Sequence, residues 1–137
     1  MSHTKVAFVC QGNAGRSQLA AALAEREIER RGLDVDVVTG GVDPADHVHD
    51  EIVAVLEEVG VDVSDRTPRE IQLDDVVDAA YVVTMGCSVE TFVPDGWAGT
   101  AERWELDHPS AGDLEAARRQ RDEIQERVEQ FLDRITT

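Results

Sequence analysis

Cys10, Arg16 and Ser17 have the residue types and the spacing for nucleophilic chemistry on an oxyanion, within the stretch Cys10-Gln11-Gly12-Asn13-Ala14-Gly15-Arg16-Ser17. Gly12 and Gly15 can take positive φ, which lets backbone N–H groups converge on one point, and a helix opening near Ser17 adds its positive dipole end. The same N–H groups favour a thiolate over a thiol at Cys10. Arg16 supplies a planar fork for two oxygens of a tetrahedral oxyanion. Ser17 can donate its hydroxyl to the sulfur, and Asn13 suits a left-handed backbone position from which its amide braces the loop. The expected oxyanion-binding set is therefore Gln11, Gly12, Asn13, Ala14, Gly15 and Arg16, with Cys10 as nucleophile.

The elements around this stretch must present it at the end of a strand. Val6-Ala7-Phe8-Val9 is an apolar run that reads as a buried strand, and Leu19, Ala20, Leu23, Ala24 and Ile28 recur at helical spacing up to Gly32. Val35, Val37 and Val38 read as a second strand ended by Gly40-Gly41, and Asp43-Pro44 opens a loop. His47 and His49 lie there without a partner at metal-binding intervals, which makes them solvated loop histidines. Ile52, Val55, Leu56 and Val59 mark a helix closed by Gly60, and Val61 and Val63 read as irregular. Thr67-Pro68-Arg69-Glu70 has the form of a helix start, with Thr67 as N-cap and Glu70 completing a capping box. Ala79 to Thr84 is uncharged and rich in β-formers, so it reads as a central strand. Residues 89–100 read as a loop, Glu102 to Leu106 as a short last strand, and Leu114 to Ile135 as a long amphipathic helix.

Ligands of an open parallel α/β sheet bind beyond the carboxyl ends of the strands. Cys10 lies at such an end, and so does Cys87, the only other cysteine. With the first and third strands as neighbours, Cys87 falls near the Cys10 cradle. Asp107-His108-Pro109 follows the last strand at the same side of the sheet.

With 137 residues the chain fits one domain with a real core and needs no disulfide. No apolar stretch reaches the length of a membrane span, and the N-terminus lacks a signal-peptide layout. A cytoplasmic, reducing compartment is the expectation, in which both cysteines are reactive rather than structural. The formal charge of -16 argues against a nucleic-acid or acidic-membrane surface. Lys5 is the only lysine. Dense carboxylates with scarce lysine suit a protein kept soluble in concentrated salt, which points to a halophilic source.

Cys-x5-Arg-Ser at the N-terminus of so short a chain resembles the low-molecular-weight protein tyrosine phosphatases and their relatives, the thiol-dependent arsenate reductases. Asn13 to Gln18, Val82 to Cys87, and Trp104 to Pro109 followed by Arg121-Asp122-Glu123-Ile124 are similar to the reductases in particular. The resemblance spans nearly the whole chain, residues 1–137, as a single domain. It implies an α/β fold of three layers, αβα, around a four-stranded parallel sheet in the order 2-1-3-4. It also implies arsenate reduction with no cofactor and no metal, with Cys87 as second redox thiol and thioredoxin, glutaredoxin or a small thiol as reductant. The alternative is phosphomonoester hydrolysis through a phosphocysteine on the same cradle. The family's third cysteine is absent from residues 88–94, and its acid aspartate before proline is replaced by His108, with Asp107 one residue earlier. The proton donor is Asp107 or His108, since neighbours in extended backbone face opposite sides.

Overall fold

Alternate side chains of the first strand enter two different cores, because successive residues of a strand face opposite sides of its sheet. In β1 (Thr4–Cys10), Val6, Phe8 and Cys10 join one cluster, and Ala7 and Val9 join the other. The computed structural model describes residues 4–88, 92–106 and 112–136. Its sheet has four parallel strands, β1 with β2 (Val35–Gly41), β3 (Tyr81–Met85) and β4 (Thr100–Arg103), in the order β2-β1-β3-β4. The expected order is therefore present. Cys10 pairs in register with Gly41 on one side and Met85 on the other. The chain leaves β1 toward β2 and returns to β3, so the switch in strand order falls beside Cys10.

One face of the sheet is covered by α1 (Arg16–Arg31), α2 (Asp50–Glu57) and α4 (Leu114–Ile135), whose buried Leu19, Leu23, Ile52, Ile124 and Phe131 meet Phe8 and Met85. Helix α1 ends where expected, at Gly32, with the Leu33 N–H reaching back to the Ile28 carbonyl. The opposite face carries α3 (Leu73–Val76), with Ile71, Val76 and Ala79 over Ala7, Val9 and Val82. Trp104 leaves β4 to bury its ring 5.7 Å from that of Phe8. This ends the strand at Arg103, earlier than the run to Leu106 that β-propensity suggests.

The helix expected to begin at Thr67-Pro68 does not form. Instead Glu70 makes a parallel bridge to Gly41, with the Gly41 N–H donating to the Arg69 carbonyl at 2.8 Å and the Ile71 N–H to the Gly41 carbonyl at 3.0 Å. Two long-range backbone bonds to a strand end prevail over a local capping pattern. The helix starts later, at Leu73, where the Gln72 N–H donates to the Asp75 carboxylate at 2.8 Å. Among the described residues no helix is long and apolar enough to cross a membrane.

Candidate active site

The loop after β1 is held open by its carbonyls. Those of Cys10, Gln11, Gly12 and Ala14 accept from the N–H groups of Val42, Asp43, Ala45 and His49 at 2.8–3.2 Å. A planar trans peptide points each N–H away from the preceding carbonyl, so anchoring the carbonyls outward turns the next amides inward. The Asn13 N–H shows the result, donating to Cys10 Sγ at 3.3 Å. No described residue accepts from the N–H of Gln11, Gly12, Ala14 or Gly15.

Asn13, not the glycines, takes the left-handed conformation: its φ is 52°, whereas Gly15 sits at -134°. The expectation of positive φ at Gly12 and Gly15 is corrected by this distribution. Asn13 can hold a disfavoured backbone because its buried amide is fully engaged. Its Nδ2 donates to Ser17 Oγ at 2.7 Å and to Thr39 Oγ1 at 2.9 Å, while its Oδ1 accepts from the Arg69 N–H at 3.1 Å and Gln18 Nε2 at 3.2 Å. Gly41 leaves the room required, since a Cβ there would lie 2.9 Å from the Asn13 nitrogen.

This network orients the proton on Ser17. Asn13 occupies an acceptor position of the serine oxygen, so the hydroxyl hydrogen is free to point along the 2.9 Å contact to Cys10 Sγ. Cys10, 3 % exposed, then faces two donors, an arrangement suited to an anionic sulfur nucleophile. It forms the floor of a cavity of about 390 Å³ walled by Gly15, Arg16, His49, Glu51 and Gln120 among others. Arg16 reaches the carbonyl of Leu106 with Nη1 at 3.4 Å. Asp107 and His108, the two candidate acids, follow Leu106 directly and lie outside the described residues.

Gly86 lies against the guanidinium: a Cβ there would sit 2.8 Å from Arg16 Nη2, and its φ is 85°. Gly86→Ala is expected to lower stability by about 1–2 kcal/mol and, by displacing Arg16, to cut activity more than the stability loss explains. Thermal melting beside kcat and KM checks this. Unchanged kinetics would show that Arg16 tolerates the intrusion.

Cys87 lies at the carboxyl end of β3 as expected, with Sγ 3.7 Å from the Val9 carbonyl, beside the strand that carries Cys10. It packs with the cluster of Val9 and Ile71, whereas Cys10 belongs to the cluster of Phe8 and Leu19. The left-handed turn at Gly86 has switched Cys87 to the other face of the sheet. Burial pushes the Cys87 thiol up from the ordinary range, nearby Cys10 adds to this, and a bond to the Met85 backbone and the Arg16 charge oppose it. A raised value keeps the thiol protonated at neutral pH. In Cys10→Ser, where Cys87 is the sole cysteine and its burial persists, iodoacetamide alkylation should rise at higher pH than in the same variant unfolded in urea. Coincident profiles would show that burial does not control it.

His49 is the site residue least legible in the sequence. Its N–H donates to the Ala14 carbonyl at 3.0 Å, and its ring lies 3.6 Å from where a Gly15 side chain would begin. It is half-buried in the cavity wall rather than solvated, while His47 is exposed. Sequence reasoning also misses Thr39 and Arg69, because their contacts to Asn13 span 26 and 56 residues of chain.

A strand-end thiol facing two donors, inward amides and a nearby arginine, all on a 2-1-3-4 parallel sheet, define a cysteine-dependent enzyme acting on oxyanions. The chain belongs to the low molecular weight phosphotyrosine protein phosphatase family, whose model matches residues 5–137. It is 48% identical over 134 residues to a Halobacterium salinarum protein named for arsenate reductase, covering 96% of this chain and 93% of that one. A solved arsenate reductase in its phosphate-binding state is 32% identical, with a TM-score of 0.80 over 96% of this chain and 98% of the other. A thioredoxin-dependent arsenate reductase of Corynebacterium glutamicum is 30% identical, with a TM-score of 0.79 over 98% of this chain, which spans 62% of that longer protein.

Proposed function

We propose that this chain is an arsenate reductase, a reading carried by the second thiol, Cys87, beside the strand that bears the nucleophile. Arsenate is held by the amides of residues 11–15 and the fork of Arg16. The Cys10 thiolate forms a sulfur–arsenic bond as one oxygen leaves, protonated to water by Asp107 or His108. Arsenic is still pentavalent at this point. Cys87 then attacks Cys10 Sγ, the sulfur–arsenic bond pair passes to arsenic, and trivalent arsenite departs as a disulfide forms. Ser17 donates its hydroxyl to the Cys10 sulfur.

The disulfide requires the Gly86-Cys87 turn to swing its thiol across the end of β1, because the two sulfurs rest in different clusters. Leaving the buried seat also removes the main reason the thiol stays protonated. A dithiol reductant of the thioredoxin or glutaredoxin kind, or a small thiol, restores both cysteines. Thioredoxin dependence of the Corynebacterium relative supports the first of these. A single-domain, cytoplasmic role in arsenic resistance suits this chemistry. The charge of -16 and the Halobacterium relative support a halophilic source.

The deciding experiment incubates pure protein with arsenate, thioredoxin, its reductase and NADPH, beside a phosphatase assay on the same preparation. Catalytic arsenite formation is expected, with weak hydrolysis of phosphotyrosine, since no Phe, Tyr or Trp stands among the described residues that line the cavity. Rapid ester hydrolysis without arsenite would make the chain a phosphatase.

A further inference from the structure

His49 has no assigned role in the chemistry above, yet it stands in the wall of the reaction cavity. Helix α2 begins at Asp50, immediately after it, and its side chain makes no capping bond. Neither ring nitrogen has a hydrogen-bond partner among the described residues. An imidazole nonetheless always carries at least one N–H donor. Its backbone bond to Ala14 anchors the residue beside the oxyanion loop, and its ring carbon Cδ2 lies 3.6 Å from where a Gly15 side chain would begin.

The charges of the wall explain why such a donor matters. Besides the reactive Cys10 thiolate, Arg16 and Glu51 are the charged side chains among the described lining residues, so the wall offers an anion no net positive charge. Affinity for an anion must then come from directed N–H groups rather than from net charge. The loop amides and Arg16 surround the oxygens nearest Cys10. In an in-line attack by the buried sulfur the oxygen opposite it faces the mouth, and that oxygen carries the organic group of an ester.

We propose that His49 is a specificity-determining residue that donates a hydrogen bond to this outward-facing oxygen, favouring inorganic oxyanions over phosphate monoesters. The proposal rests on the arsenate-reductase reading for its substrate class. An esterified oxygen is a poorer acceptor, and its organic group occupies the space beside the imidazole. A free oxygen of arsenate or phosphate accepts fully.

The test measures binding rather than turnover. In Cys87→Ser, Cys10 is the sole cysteine, and protection of Cys10 from iodoacetamide reports occupancy of the cradle. With inorganic phosphate as protector, His49→Ala should raise the half-protecting concentration about tenfold or more. With phenyl phosphate the change should stay within about twofold, since the bond is already compromised. His49→Gln, whose amide N–H can reach toward the ring's donor position, should recover part of the phosphate affinity. Unchanged phosphate protection in His49→Ala overturns the proposal. Equal weakening for both protectors also overturns it, because this would mean His49 merely holds Ala14 in place. Absence of arsenite formation by the unaltered protein would defeat the reductase reading but leave these binding outcomes intact, so the two failures are distinguishable.

Discussion

Cys10→Ser is expected to lose turnover by roughly 10⁴-fold or more while keeping its fold and its affinity for phosphate. The reason is specific to the site's geometry. A serine hydroxyl in place of Sγ would still accept from the Asn13 N–H and the Ser17 hydroxyl, so the loop remains braced. Two donors cannot convert an alcohol into its anion near neutral pH, whereas a thiol needs far less help. The inward amides and Arg16 do not depend on the sulfur, and oxyanion binding persists. Steady-state arsenite production and phosphate titration on one preparation separate the two effects. Full activity in this variant would remove Cys10 from the mechanism.

Cys87→Ser should stop the enzyme after its first step. The Cys10 adduct with arsenate still forms, because nothing in the cradle contacts Cys87 through a side-chain bond, but the intramolecular attack that expels arsenite is lost. Multiple turnover with a dithiol reductant should fall by roughly 100-fold or more. Rates of Cys10 alkylation, and its protection by phosphate, should be little changed. Undiminished multiple turnover would mean that an external thiol attacks the adduct directly and that Cys87 is no relay. Hydrolysis of a phosphate ester needs no second thiol and should be indifferent to the change, so the same variant distinguishes reductase from phosphatase.

Local chemistry makes much of the site legible in the sequence. The run from Val6 to Arg31 is continuous along the chain, so strand, loop and helix can be read from apolar spacing, loop residues and the Gly32 stop. Left-handed geometry at Asn13 can be read as well, since it follows from the residue's own side chain. The position of Cys87 at a strand's carboxyl end needs only the β-rich run before it.

Tertiary structure alone decided what depends on partners far along the chain. Thr67 to Glu70 has every local mark of a helix start, yet extends along Gly41, where the Arg69 carbonyl and the Ile71 N–H complete bonds the sheet edge would otherwise leave open. That placement brings the Arg69 N–H to Asn13, and so the brace of the catalytic loop comes from residues that no local pattern connects with it. His49 reads as a loop histidine because no partner stands at a metal-binding interval from it, and its backbone bond to Ala14 places it in the cavity wall. Cys87 reads as lying near the Cys10 cradle, but the positive φ of Gly86, where Arg16 leaves no room for a Cβ, turns it to the other face of the sheet. Sequence by itself determined which groups could do chemistry and at which strand ends they stand, because those are properties of short segments. Which groups face one another was decided by long-range backbone hydrogen bonds and close approach, whose free energy outweighs the smaller preferences of local pattern.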